Sequence, residues 1–276
     1  MRQNHTISTF DNSDSWVILS EIEQSIKRKI EAVGTPLKDW DIQINYGIKT
    51  GFNDAFIITT EKREEILSAC KNEDERSRTA DLIRPILRGR DIKRYGYDWA
   101  NLWLINTHNG IRGSIPRIDI NDYPAIKQHL DKYWDRINSR ADKGDTPYNL
   151  RNCAYLDDFS KPKIIYPETT QGAYFALDEN GLFLDKTCFM LISDYSEYLQ
   201  LTLSSRLFEY AYKRIFSSVS LGEHGYQYNK HALIKLPVIK PNNRIKLNKN
   251  NVDQYIYDLY QLSPDEIDFI ESEYLL

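Results

Sequence analysis

The spacing of hydrophobic residues switches repeatedly along this chain between a helical and a strand period, and that switching restricts the fold more than any other feature. Residues 16–33 place Ile18, Ile22, Ile26 and Ile30 on one stripe, opposite a Lys/Arg-rich face, which predicts an amphipathic helix. Asp14 or Ser15 is positioned to cap its start, and Gly34 with Pro36 ends it. Residues 42–46 then alternate with the period of a strand. Residues 47–54 form a glycine-punctuated connection, and residues 55–59 read as a second strand in a hairpin-like setting.

The same alternation continues downstream. A helix is expected over 60–70, a basic segment over 84–95 leads into a strand at 101–105, and a helix spans 124–140. Residues 142–152 are polar and read as an exposed loop. Strands follow at 163–166, 173–177 and 187–193, with a turn at 179–181 between the last two. A helix covers 195–215, residues 217–229 read as a loop, and 236–238 closes the core. Two short helices fill 251–275, joined where Ser263 caps and Pro264 takes the first helical position. No internal repeat or linker divides the chain. The expectation is an α+β fold: a leader over 1–15, then one domain over 16–276 with a mixed or antiparallel sheet, flanking helices, long loops and C-terminal helices.

Composition narrows the functional classes. The chain has 276 residues with 19 Tyr, 10 Phe and 5 Trp, enough aromatic material to argue against disorder. No apolar run approaches a membrane span, and the polar N-terminus lacks a signal-peptide core. Cys70, Cys153 and Cys188 are widely spaced and form no metal or disulfide pattern, which points to a reducing, cytoplasmic setting. Net charge is −4, but the charges are unevenly placed. Of 36 Lys+Arg and 40 Asp+Glu, residues 76–163 hold 17 and 11, leaving 19 and 29 elsewhere. A basic middle between acidic ends suits a cationic face for phosphates.

Catalytic patterns are missing. Gly47 and Gly51 do not lie between a strand and a helix, as a phosphate or cofactor cradle requires. No Asn-Pro-Pro-Tyr-type loop is present to grip a base. Asp157, Asp158, Lys161 and Lys163 are close in sequence but lack the Glu-x-Lys order of a metal-dependent nuclease, and Asp54 with Glu61 and Arg63 is a similarly weak candidate. His5, His108, His129, His224 and His231 show no ligand spacing on a helix, and no nucleophile elbow supports a triad. No catalytic or metal residue is assigned.

Four segments in order carry a family resemblance. Residues 45–58 (NYGIKTGFNDAFII) resemble the strand-turn-strand opening of the TaqI-like C-terminal specificity domain. Residues 83–95 (IRPILRGRDIKRY) look like its second block, and 161–167 (KPKIIYP) resemble its central strand. Leu236-Pro237-Val238 and the helical stretch 257–267 are similar to its ending, so the resemblance runs from about Trp16 to Glu271. It implies target recognition on double-stranded DNA within a restriction-modification protein. There a catalytic methyltransferase or nuclease part, in cis or as a subunit, would use S-adenosylmethionine and possibly Mg²⁺. The catalytic half is absent from this sequence, so no cofactor is expected for the chain itself.

Under that resemblance, contacts are expected from the polar loops. Lys49, Arg88, Arg90, Lys93 and Arg94 are candidates for phosphate or guanine, and Thr50 and Asn53 are further DNA-binding candidates. Asn109, Arg112, Tyr148, Asn149 and Arg151 lie on polar loops suited to adaptable readout. Gln171 suits an adenine edge, and His224, Tyr226, Gln227 and Tyr228 form an aromatic, polar loop. Lys127, Lys132, Arg136 and Arg140 alternate with Asp131 and Asp135, so intrahelical ion pairing explains them. Two other readings remain: a self-sufficient Mg²⁺-dependent nuclease around Asp157 and Asp158, and a protein-interaction domain docking on a catalytic subunit through residues 16–33 or the C-terminal helices.

Overall fold

The computed structural model describes residues 19–217, 220–221, 225–241 and 247–274, so the expected leader and the capping candidates Asp14 and Ser15 fall outside it. At its centre lies an antiparallel sheet in the order Ala176–Asp178, Lys163–Pro167, Cys188–Ile192, Gln43–Tyr46. Side chains alternate across it. Ile164, Tyr166, Leu191 and Ile44 enter one core, while Ile165, Cys188 and Met190 enter the other. This explains why Lys163–Pro167 is buried at every position: both faces of the strand are covered.

Helices Glu21–Val33, Ser196–Leu203, Arg206–Ala211, Val252–Leu259 and Pro264–Ser272 pack on the first face through Ile26, Ile30, Leu199, Leu203, Leu207, Phe208, Val252, Ile256 and Ile270. Burying each such side chain contributes roughly 1.5–3 kcal/mol, well above the tenths that separate helix propensities. Against the second face lies a mixed sheet, Phe183–Leu184, Ile83–Leu87, Leu102–Ile105, Ile57–Thr59. Its first pair is parallel and the others antiparallel. Helices Thr60–Ser68, Glu73–Leu82, Pro124–Asp131 and Trp134–Ser139 complete that core. The fold is α+β, with a mixed and an antiparallel sheet, as the alternating periods predict.

Several local expectations change. The first helix is capped by Ser20, whose hydroxyl and Glu23 form a reciprocal capping box. Residues 42–59 are not a hairpin, and Gly47 and Gly51 do lie between a strand and a one-turn helix. Gln43–Tyr46 pairs with Cys188–Ile192, Ile57–Thr59 pairs with Leu102–Ile105, and Asn53–Phe56 is a helical turn. The segment between crosses from one sheet to the other, Gly47 N–H donating to Cys188 O and Ile48 N–H to Leu184 O. A Cβ on Gly47 would overlap the Asp185 carbonyl, so only glycine passes there.

The helix expected over 124–140 breaks at Lys132–Tyr133. That over 195–215 breaks at Ser204–Ser205, restarts with Ser205 as cap, and ends in a π turn over Tyr212–Phe216. The strand expected at 173–177 is Ala176–Asp178, and Phe183–Leu184 intervenes between the turn at 179–181 and Cys188–Ile192. Part of the loop expected at 217–229 is paired: Gly225–Gln227 lies between Thr169–Thr170 and Ser220–Leu221. Helix Glu73–Leu82 carries no hydrophobic signal in the sequence, because its run EDERSRTADL has almost no apolar stripe. Ser263 does cap Pro264–Ser272, in a capping box with Glu266.

Arg140 is not an intrahelical ion-pair partner. It is 7% exposed and donates to the carbonyls of Thr50, Asp142 (3.0 Å), Pro147 (3.0 Å) and Asn149 (2.6 Å). Desolvation brings its pKa down to about 10, while Asp142 opposes the shift. Arg140 thereby ties residues 50–51 to the 142–150 loop. That loop is not freely exposed, since Asn149 and Leu150 are buried. Lys127 and Asp131 do pair along their helix at 2.8 Å, as expected.

Candidate functional site

The basic segment 88–93 owes its shape to a short 3₁₀ turn, Gly89–Asp91. Arg88 places both arms of its guanidinium on Asp91, Nε to Oδ2 at 2.9 Å and Nη2 to Oδ1 at 2.7 Å. Its backbone N–H also reaches Oδ2 at 2.9 Å. Gly89 N–H donates to Thr187 Oγ1 at 2.8 Å, and Thr187 in turn is held by Asp185. The turn is thus fastened at both ends, and Arg90 and Lys93 project outward, both exposed. Lys93 Nζ folds back to Arg90 O at 2.9 Å.

Opposite stands the turn 169–174. Thr170 Oγ1 closes it by donating to Gly172 O at 2.6 Å and accepting from Gly172 N–H at 3.2 Å. Gln171 is exposed at its tip. Tyr174 lies against Gly172 so closely that a Cβ there would stand 2.8 Å from the ring. Together these pieces line a cleft of about 270 Å³ formed by Gly89, Arg90, Ile92, Lys93, Pro167, Thr169, Thr170, Gln171, Tyr174 and Gly225. Its lining holds two cations, one amide and an apolar wall, and no carboxylate. Three other clefts each carry acidic groups: Asp157 and Asp158 in one, Asp145 in the second, and Glu179, Asp194 and Glu197 in the third.

The remaining candidates scatter. Arg88 is the clamp of the turn. Arg94 faces inward, 3.6 Å from Asp253 and stacked over Tyr95. Thr50 is buried, its hydroxyl donating to exposed Asn53. Lys49 lies over the exposed ring of Tyr46 at 5.2 Å. Asn149 is buried and donates to Ile118 O at 2.9 Å, lacing its loop to the 108–118 segment. Tyr148 bonds Asp131 at 2.6 Å, and Arg151 pairs with Asp142 at 3.0 Å. Asn109, bonded to Asp145 and Asn152, lines a separate cleft with exposed Arg112.

Tyr226 and Tyr228 are core residues: both are buried in an aromatic cluster with Tyr212, Tyr166 and Phe175. They support the strand that carries Gln227, which is itself partly exposed. His224 lies outside the described residues. The structure brings three of the candidates, Arg90, Lys93 and Gln171, into one cleft and adds Tyr174, which the sequence signals only through the small residue it covers, Gly172. The 47–53 segment does not join them. It packs by Gly51, at φ +71°, against Arg140 and Asp142.

The acidic alternative does not assemble. Asp158 is buried and taken up by Asn45 (2.9 Å) and Lys161 (2.7 Å), and Lys163 is sealed against Asp178. Among the described residues no group of three or more His, Cys, Asp or Glu is arranged to hold a metal ion. Cys70, Cys153 and Cys188 are free thiols, and no helix among the described residues is long and apolar enough to cross a membrane.

Comparison with known proteins agrees with the architecture. Similar solved structures include two restriction enzymes. One is the type IIL restriction-modification enzyme MmeI, determined in complex with DNA, at a TM-score of 0.50 and 14% identity over 82% of this chain and 28% of that one. The other is the type IIG restriction endonuclease BpuSI, at a TM-score of 0.52 and 15% identity over 91% of this chain and 28% of that one. The chain thus spans little more than a quarter of either enzyme, and at such identity the likeness is one of fold. A family model matches residues 84–238, which include the whole cleft. The chain belongs to the family of TaqI-like C-terminal specificity domains.

Proposed function

We propose that this chain is the part of a restriction-modification protein that reads double-stranded DNA, with Arg90, Lys93 and Gln171 at the centre of the contact. The observation that carries this reading is the carboxylate-free cationic cleft on a fastened turn. A polyanion needs uncompensated positive charge, and rigid presentation limits the ordering entropy on binding. Family membership and the MmeI fold, determined with DNA, support it. In this reading methylation or cleavage, with S-adenosylmethionine and Mg²⁺, belongs to a catalytic part in cis or on another subunit.

The test is fluorescence anisotropy of the chain with labelled duplex at several salt concentrations. Binding whose log affinity falls linearly with log salt, by about 0.9 per phosphate contacted, supports the proposal. Failure to bind duplex even at low ionic strength rejects it.

A further inference from the structure

The cleft is better suited to base edges than to phosphate alone, and this assignment rests on the DNA reading above. A phosphate presents only acceptors. Gln171 presents both a donor and an acceptor on one planar amide, a combination that matches adenine N6 and N7. Arg90 presents a planar fork, the geometry that pairs with guanine O6 and N7. Among the described residues Arg90 has no carboxylate within ion-pair distance, whereas Arg88, two positions earlier, is fully engaged by Asp91. Lys93, a point charge with a flexible stem, lacks planar selectivity and suits a phosphate.

The supports are equally specific. Base readout requires a backbone that presents the reading side chain from a fixed position, and both carriers are short turns whose backbones are fastened by hydrogen bonds. Ile92, Pro167 and Tyr174 form the apolar wall between them. A thymine methyl is the major-groove group that such a wall accommodates.

We infer that Arg90 and Gln171 are the specificity-determining residues of this cleft, each reading a purine edge in the major groove, while Lys93 fixes register on the backbone. The experiment selects from a randomised duplex library with the unaltered chain and with Arg90→Ala, Arg90→Lys, Gln171→Ala and Lys93→Ala, each checked for folding by circular dichroism. Salt dependence is then measured on the selected duplex.

Arg90→Ala should flatten preference at one position by about tenfold or more and leave the others intact. Arg90→Lys should lose the same preference while keeping the salt slope. Gln171→Ala should act likewise at a different position, and Lys93→Ala should weaken all sequences by one factor and reduce the salt slope by about one. If Arg90→Ala instead weakens all sequences uniformly, Arg90 is a phosphate contact and the assignment is overturned. Unchanged preferences in both Arg90→Ala and Gln171→Ala overturn it too. Absence of any duplex binding by the unaltered chain removes the DNA reading itself, and this assignment with it.

Discussion

Arg88 and Asp91 form a two-pronged ion pair across a single 3₁₀ turn, Nη2 to Oδ1 at 2.7 Å and Nε to Oδ2 at 2.9 Å, so that the intervening Arg90 is left facing out. Two arginines separated by one glycine thus have opposite roles. One holds the turn and the other is presented by it.

The clamp predicts a pH dependence. Burial pushes the Asp91 carboxyl up, but the Arg88 side chain and backbone bonds outweigh it and hold the pKa below the ordinary value. A lowered folded-state pKa means the pair stabilises fully above the unfolded value of about 4 and fades as pH falls below it. Asp91→Asn should therefore cost about 1–2 kcal/mol at neutral pH. The difference between the two proteins in urea denaturation should shrink as pH falls below about 4, the unfolded carboxylate value, through the lowered pKa of the folded state. A gap independent of pH would show that the charge is not what stabilises the turn.

Replacing Arg140 tests the loop framework. Arg140→Met removes the guanidinium, which lies 4.3 Å over Phe56, and takes its donors from four carbonyls, of which Asn149 O keeps the N–H of Gly144. The expected loss is about 3 kcal/mol or more by chemical denaturation. Hydrogen exchange should also speed up over residues 142–150. A loss under about 1 kcal/mol would mean water replaces the guanidinium at little cost.

Lys163 and Asp178 are both fully buried, and Asp178 also accepts the N–H groups of Asn180 and Leu182. Lys163→Met should destabilise the chain by about 3–5 kcal/mol, because it strands a carboxylate beneath the turn. Adding Asp178→Asn should recover part of that loss, so the two changes are not additive. Additive effects would show that the pair does not act as a unit.

What sequence made legible follows the range of the forces involved. Helix Pro264–Ser272 was readable because Ser263, Pro264 and Glu266 signal within one turn. Strand pairing was not. Gly47 and Gly51 look like hairpin punctuation, yet Tyr46 pairs with Phe189, far along the chain, and that partner is set by the two cores. The cleft shows the same division. Arg90, Lys93 and Gln171 were identifiable by residue type on polar turns. Nothing local distinguishes Tyr226 and Tyr228 from exposed aromatics, and burial placed them in the core. Arg88 and Arg90 have the same side chain, and only the position of Asp91 separates their roles.

Charge reversal at the cleft, with reversal elsewhere as control, tests the proposed DNA contact most directly. The measurement is duplex affinity at low salt for Arg90→Glu with Lys93→Glu, compared with Lys38→Glu with Lys230→Glu in the cleft that contains Asp157 and Asp158. The two double variants change net charge equally. The account predicts that the first loses at least about a hundredfold in affinity, from two lost cations and two new repulsions. The second should stay within a few-fold of the unaltered chain. Equal losses in both, or an unaffected Arg90/Lys93 variant, would contradict it.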